Sequence, residues 1–342
     1  MDSKAQITHF DSAVRQDIGN GIDDFLTFLP GPSRIHVPGR DSSRCRILVT
    51  LLHGNEPSGI RALHTLLKEC FFPAVDIYCY LMAIEAAELA PRFTFRQVPG
   101  KRDYNRCFLP PFDSDDQGPV CQQLLEEIQQ LNPEAVVDMH NTSGEGPSFG
   151  VVTRYDARHD RIVSLFTDRC VVTELRLGAL METSTAQLPV VTVECGGAFE
   201  AAADRIALDG MTRYFGVEAL FREEHQDLET EVFFHPMRVE MNQAEIIACA
   251  EHYVPGSDIT LTRDIEHHNF GLVTPDTLLG WVAPGTLEKM AAFDTERTNH
   301  FRSLYREEEG GLYPRCNQKL FMITSNLAIA RSDCLWYTAL TD

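Results

Sequence analysis

Arg46-Ile47-Leu48-Val49-Thr50-Leu51-Leu52-His53-Gly54-Asn55-Glu56-Pro57 decides how the chain is read. An apolar, β-branched run of this length, bounded by Gly and Pro, reads as a strand buried on both faces. It ends on a His, with a Glu three residues later, so two side chains able to bind metal sit at the mouth of a sheet. Gly54 permits a sharp turn, and Pro57 suits the first position of a helix, which predicts a helix running through Leu67 with Glu56 at or near its N-cap. His53 and Glu56 then point into one crevice.

Moving outward, the same pattern recurs. Val75 to Leu81 reads as a second buried strand, followed by a short helix over Ile84 to Leu89. A helix is expected from Pro119 to Leu131, with Val120, Leu124, Leu125, Ile128 and Leu131 on one stripe. Ala135-Val136-Val137-Asp138-Met139-His140 is another apolar strand finishing on a His, and Leu188 to Gly197 runs through Glu194 into glycines. Phe149 to Val152 and Val171 to Leu177 are further strands around a helix near Asp160 to Arg169, and Phe199 to Phe221 is a closing helix. Upstream, Phe25 to Leu29 and Ile35 to Val37 read as short strands. Strand, helix, strand is the rhythm of an open α/β sheet. From Glu229 the pattern changes to short strands and turns: Val232 to Met241, Asp258 to Thr262, Gly280 to Ala283 and Leu320 to Ala330, with one helix near Ala244 to His252. The expected division is a domain over 1–228 and a smaller, mostly β domain over 229–342.

Composition limits the function classes. The chain has 342 residues, 44% of them apolar, and a net charge of −20. That balance argues against nucleic acid or an anionic membrane surface as partner, since both are themselves negative. The first residues carry acidic groups and no apolar core of the kind an export signal needs, and no 18-residue apolar run occurs. A cytoplasmic protein is expected, with its ten cysteines as reduced thiols lacking Cys-x-x-Cys pairs.

Against that acidic background the segment from 91 to 116 stands apart, rich in Pro, Gly, Arg and Asp, and long structureless loops are often functional. Ligands of open α/β sheets bind beyond the carboxyl ends of the strands. Three apolar strands ending in His53, His140 and Glu194 therefore converge on one place. Two His and one Glu make a three-ligand zinc site with a fourth position for water, which assigns His53, Glu56 and His140 as ligands and leaves Glu194 as general base. A zinc ion so held acidifies water to a pKa of about 7; Glu194 takes the proton and passes it to a leaving nitrogen. Asn105 and Arg106 supply the substrate side, the guanidinium fork matching a carboxylate. Asp138 shares a strand face with His140 and can orient it.

His53-Gly-Asn-Glu56, the Asn105-Arg106 pair, Asp138-Met-His140-Asn-Thr and Thr192-Val-Glu194 together resemble the succinylglutamate desuccinylase/aspartoacylase family, relatives of the zinc carboxypeptidases. The resemblance spans about residues 45 to 222. It implies a zinc-carboxypeptidase-like three-layer α/β/α domain with a mixed central sheet, plus a β-rich C-terminal domain capping the active site. The implied activity is removal of an acyl group from a small acidic N-acyl amino acid, with one Zn2+ per chain. It also implies an arginine that polarises the scissile carbonyl. Arg92, Arg96 and Arg102 are the candidates, and Arg96 is preferred for its family-like distance from Asn105. Asn141 joins the substrate-binding set. The chain departs from the family's Asp-Leu-Asn-Arg at Tyr104, and Cys195-Gly196-Gly197 after the base is its own. The alternatives are a zinc metallocarboxypeptidase acting on peptides and a noncatalytic small-molecule-binding relative. A homo-oligomer is left open.

Overall fold

The computed structural model describes residues 6–174, 176–222, 229–241, 245–294, 296–332 and 334–341. The chain divides into two compact units, the first comprising Met1–Asn141, Ser148–Val171 and Leu175–Val232, the second Thr142–Pro147, Val172–Glu174 and Phe233–Asp342.

The first unit is built on a nine-stranded sheet. Its strands are β1 (Thr8–Phe10), β2 (Ser33–Val37), β3 (Asp41–Thr50), β4 (Val75–Leu81), β5 (Val136–Thr142), β6 (Phe149–Val152), β7 (Arg169–Val172), β8 (Val190–Gly197) and β9 (Glu231–Phe234). They lie in the order β1-β2-β4-β3-β5-β8-β6-β7-β9. β3 runs parallel to both β4 and β5, whereas β2 with β4 and β6 with β8 are antiparallel, so the sheet is mixed. The helices are α1 (Ile22–Phe28), α2 (Ser58–Lys68), α3 (Ile84–Glu88), α4 (Gln117–Leu131), α5 (Ala157–Ser164) and α6 (Ala201–Gly216).

Alternation along β3 explains why helices cover both faces. Ile47 and Val49 share a core with Val120, Cys121, Leu124 and Ile128 of α4. Each of the fully buried Ile, Val and Leu side chains among them contributes about 1.5–3 kcal/mol relative to exposure. On the opposite face Arg46 is fully buried, its guanidinium donating to the Tyr214 carbonyl of α6 at 2.6 Å and to Glu134 at 2.7 Å. Thr50 on that face meets α2 so closely that a Cβ on Gly59 would fall 2.0 Å from its hydroxyl oxygen. Glycine is required there.

Several local expectations are corrected. Phe25 to Leu29, read as a strand, lies almost wholly in α1, where Phe25 and Leu26 are buried and Phe25 packs on His64 of α2. Four apolar residues and a threonine without alternation suit either element, and packing decided. α2 starts at Ser58 with Pro57 as its N-cap, one residue later than expected. β5 continues two residues past His140. The segment read as Val171 to Leu177 contributes only the end of β7, and Leu175 lies outside the described residues.

The second unit has two five-stranded sheets. Its strands are β10 (Met237–Met241), β11 (Ile247–Ala250), β12 (Ile259–Thr262), β13 (Leu272–Val273), β14 (Gly280–Val282), β15 (Met290–Phe293), β16 (Tyr305–Glu308), β17 (Gly311–Pro314), β18 (Gln318–Phe321) and β19 (Trp336–Leu340), with short helices α7 (Phe301–Leu304) and α8 (Leu327–Ser332). The orders are β13-β18-β19-β10-β15 and β11-β12-β14-β17-β16. One core joins them: Val239, Leu320 and Trp336 from the first sheet with Ile259, Leu261, Val282 and Leu312 from the second. The buried Trp336 indole donates to the Tyr305 hydroxyl at 2.8 Å, as a buried indole must find an acceptor. The helix expected near Ala244 to His252 is instead β11, paired with β12, and Ala244 lies outside the described residues. Val232 to Met241 is broken into β9 and β10 at His235, whose φ is +51°. Leu320 to Ala330 ends as a strand at Phe321 and turns helical from Leu327. No helix among the described residues is long and apolar enough to cross a membrane.

Candidate metal centre

β3 delivers His53 to the carboxyl edge of the sheet. The chain then turns through Gly54, whose amide donates to the Arg96 carbonyl at 2.8 Å. A Cβ at Gly54 would stand 2.6 Å from the Ala87 nitrogen and 2.7 Å from the Phe95 carbonyl oxygen, so only glycine fits. The turn closes with the Glu56 amide on the His53 carbonyl at 3.2 Å and feeds α2. Glu56 is thereby swung back between two rings. Its Oε1 lies 2.7 Å from His53 Nδ1 and its Oε2 lies 2.7 Å from His140 Nδ1. His140 arrives from β5, and the two imidazole centroids are 4.9 Å apart. All three side chains are buried.

Each imidazole has a second carboxylate on its far nitrogen. Asp103 Oδ1 is 3.1 Å from His53 Nε2, and Asp138 Oδ2 is 2.8 Å from His140 Nε2. This is the outer arrangement that fixes ring orientation and raises basicity in metal-bound histidines. The local field favours positive charge. Burial disfavours the charged form of His140, yet Asp138 and Glu56 outweigh it and hold the imidazole well above its ordinary range. Burial opposes ionisation of Glu56 too, and the charges of His53 and His140 overcome it. Asp103 behaves alike, lowered against burial chiefly by His53 and then Arg96. Donor atoms of His53, Glu56 and His140 all lie within 4.8 Å of one another, so the three could hold a metal ion, and the donor chemistry, two imidazoles and a carboxylate, fits zinc.

Glu194 lies on β8, the neighbour of β5 in the sheet, opposite Phe149 of β6. The residue as a whole is half-buried. Burial pushes it up to about 7, with Glu56 adding to the rise and His140 opposing it. Among the described residues its buried Oε2 has no hydrogen-bond partner. A buried carboxylate oxygen left unpaired is costly unless a ligand or solvent meets it.

The remaining residues divide by what they touch. Arg96 donates to Asp103 at 3.0 Å, one contact removed from His53. Arg92 is held by Asp23 and Thr27, and Arg102 by Asp113 and Asp115, so of the three arginines Arg96 is the one whose contacts lead to the metal ligands. Asn105 is buried and its amide oxygen accepts from Leu180 N at 3.0 Å. Arg106 is exposed, with one nitrogen on the Asn105 carbonyl at 2.8 Å. Asn141 is a structural tie: its amide nitrogen donates to Ser58 Oγ and to the Gly196 carbonyl, and its oxygen accepts from Ser58 N. Asp103 is the residue that reading the sequence passed over as a partner for His53. Its only signal was proximity to Asn105 and Arg106 in a charged loop.

No family model and no curated protein matches this sequence. Solved structures do. A succinylglutamate desuccinylase/aspartoacylase from Rhodobacter sphaeroides aligns over 85% of this chain and 84% of its own, with 18% identity and a TM-score of 0.53. Murine aminoacylase 3 aligns over 88% and 96%, with 14% identity and a TM-score of 0.53. The product-bound ectoine utilization protein EutE (DoeB) from Ruegeria pomeroyi aligns over 90% and 88%, with 17% identity and a TM-score of 0.50. With its mixed sheet, flanking helices and further β sheets, the chain has the fold of the succinylglutamate desuccinylase/aspartoacylase proteins.

Proposed function

We propose that this protein is a zinc-dependent amidohydrolase that cleaves the amide bond of a small, acidic N-acyl amino acid. The observation that carries the reading is the buried His53, Glu56 and His140 cluster beside Glu194, a carboxyl raised to about 7 with an unpartnered oxygen. The names of the structural neighbours, a desuccinylase/aspartoacylase and an aminoacylase, support the same class of substrate.

His53, Glu56 and His140 would hold the ion, with Asp103 and Asp138 orienting the two rings. When bound, zinc supplies Lewis acidity toward water and the scissile carbonyl. Glu194 accepts the proton of the attacking water and returns it to the leaving nitrogen, a task suited to a carboxyl near neutrality. Arg96 stabilises the oxyanion that develops on the carbonyl oxygen. Arg106 clamps a substrate carboxylate through its fork. Asn105, its amide oxygen held by Leu180 N, stands beside it, and Asn141 of β5 ties Ser58 at the start of α2 to Gly196 of β8.

The test is a turnover assay of purified, zinc-loaded protein with N-acetyl-aspartate, N-succinyl-glutamate and a short peptide, run beside metal analysis. Hydrolysis of an N-acyl amino acid with about one zinc per chain is expected. Turnover of the peptide alone makes the protein a carboxypeptidase. Zinc binding with no turnover across a wide N-acyl panel makes it a binding relative.

A further inference from the structure

A cleft of about 380 Å³ lies wholly within the first unit, walled by β1, the residues before β2, the start of α3, the loop that follows α3 and the first residue of α4. Sites for small ligands have volumes of this order. The metal ligands, Glu194, Asn105 and Arg106 are not among its walls.

The cleft carries polar groups that the fold leaves unused. Gln117, the first residue of α4, is only 4% exposed, yet among the described residues its carboxamide has no hydrogen-bond partner. A buried amide in that state is costly unless a ligand or solvent meets it. Its polar atoms are not sealed from solvent, so they open onto the cleft that the residue lines. The Tyr104 hydroxyl lacks a partner in the same sense, although its ring packs against the core that holds Val120 and Leu124 of α4. Core filling accounts for the ring and not for the hydroxyl, which stands where the chain leaves the Asp-Leu-Asn-Arg pattern.

The charges decide what fits. Arg102 is taken by Asp113 and Asp115, and Lys101 by Glu85 and Asp116. The Gly118 amide at the start of α4 already donates to Asp115. These pairings use up the groups that would hold a carboxylate or a phosphate. Glu88 of α3 makes no ion pair among the described residues, and Met82, Ile84 and Val98 add apolar surface. We propose that the cleft is an effector site for a small organic amine on a short apolar chain. An ammonium supplies three donors, matching the acceptors that Glu88, Gln117 and Tyr104 offer, while the chain covers the apolar wall.

One loop serves both this cleft and the candidate metal centre. Gln97 follows Arg96, and Tyr104 stands between Asn105 and Asp103, which faces His53 and binds Arg96. A ligand on Tyr104 pins that loop and preorganises its other residues for substrate. That effect on turnover rests on the hydrolase reading; binding of the amine does not.

The whole, zinc-loaded protein is titrated calorimetrically with n-butylamine, butyramide and butyrate, which share a chain and differ in the head group. Saturable binding of butylamine with a Kd of about a millimolar is expected, with butyramide about tenfold weaker for want of the charge and butyrate silent. Glu88→Gln and Gln117→Leu should each weaken binding about tenfold, with zinc content and the KM in the absence of amine at the parent's values. If Gln117→Leu does not fold, Glu88→Gln, on a half-buried side chain, carries the test. Bound butylamine should lower the KM for the N-acyl substrate about fivefold. No saturation, butyrate or butyramide binding as tightly as the amine, affinity unaltered in both variants, or saturation with KM unchanged overturns the proposal. A protein that binds the amine through Glu88 and Gln117 but hydrolyses nothing, with or without it, counts against the hydrolase reading instead and leaves the binding site standing.

Discussion

The two imidazoles of the candidate metal centre are held by different kinds of structure. His140 and Asp138 stand two residues apart on β5, on one face of a strand in the middle of the sheet, and Asp138 is fully buried. His53 depends on Asp103, which comes from a loop fifty residues further along and is shared with Arg96, whose side chain is 40% exposed. One half is fixed by a strand, and the other by a relay of charged contacts that ends in solvent. The strand half suits retention of an ion, and the loop half suits adjustment to a substrate.

The sharpest break in that comparison is Glu194→Gln. It removes the base from the strand half without touching a ligand, so hydrolysis should fall about 10²–10⁴-fold while zinc content stays near that of the parent. Unchanged turnover removes Glu194 from the chemistry. Next come the two partners. Asp138→Asn and Asp103→Asn should each weaken zinc binding about 10–100-fold in a chelator competition. Asp138→Asn should lose more metal, and Asp103→Asn should raise KM as well, because it frees Arg96. Equal effects on both parameters erase the distinction between the halves.

Arg106→Lys, confined to the loop half, should raise KM about tenfold through loss of the planar fork, with zinc content unaltered. A fall in kcat at constant KM instead places Arg106 nearer the reacting bond. The smallest expected effect lies far from the site. Burial raises the Glu127 carboxyl, but bonds from Gln123, Tyr80 and His9 outweigh it and hold it below its ordinary range. A depressed carboxylate stabilises the fold above its unfolded pKa of about 4.3, and that contribution is lost as pH falls through the folded value. Glu127→Gln should therefore be less stable than the parent at neutral pH and close to it in acid. Urea titrations at several pH values read this, and zinc content should not change.

The strand half was legible in the sequence and much of the loop half was not. Apolar runs such as Ile47 to Leu52 and Val190 to Val193 announce buried strands, and His53, His140 and Glu194 lie toward their carboxyl ends, although β5 runs two residues past His140 and β8 three past Glu194. Asp138 could be placed because two-residue spacing puts it on the face of His140. Asp103 and the partners of Arg92 and Arg102 needed coordinates, since a loop without a period does not say which of its charges faces inward. Asn141 followed the pattern of its neighbours in sequence, but its bonds to Ser58 and Gly196 join three elements that no local reading brings together. In the β-rich unit the strands are short, and Ile247 to Ala250 became a strand through pairing with β12, a long-range cause absent from local pattern.

Gly54 gives these two halves a common ruler. Its amide reaches the Arg96 carbonyl with no room for a side chain in between, so the spacing between the turn that follows His53 and the backbone of Arg96 is set by main chain against main chain. Drift in the residues around it cannot stretch that span. Specificity in such a protein can be retuned by changing what hangs from the loop, while the place where the loop is moored stays the same.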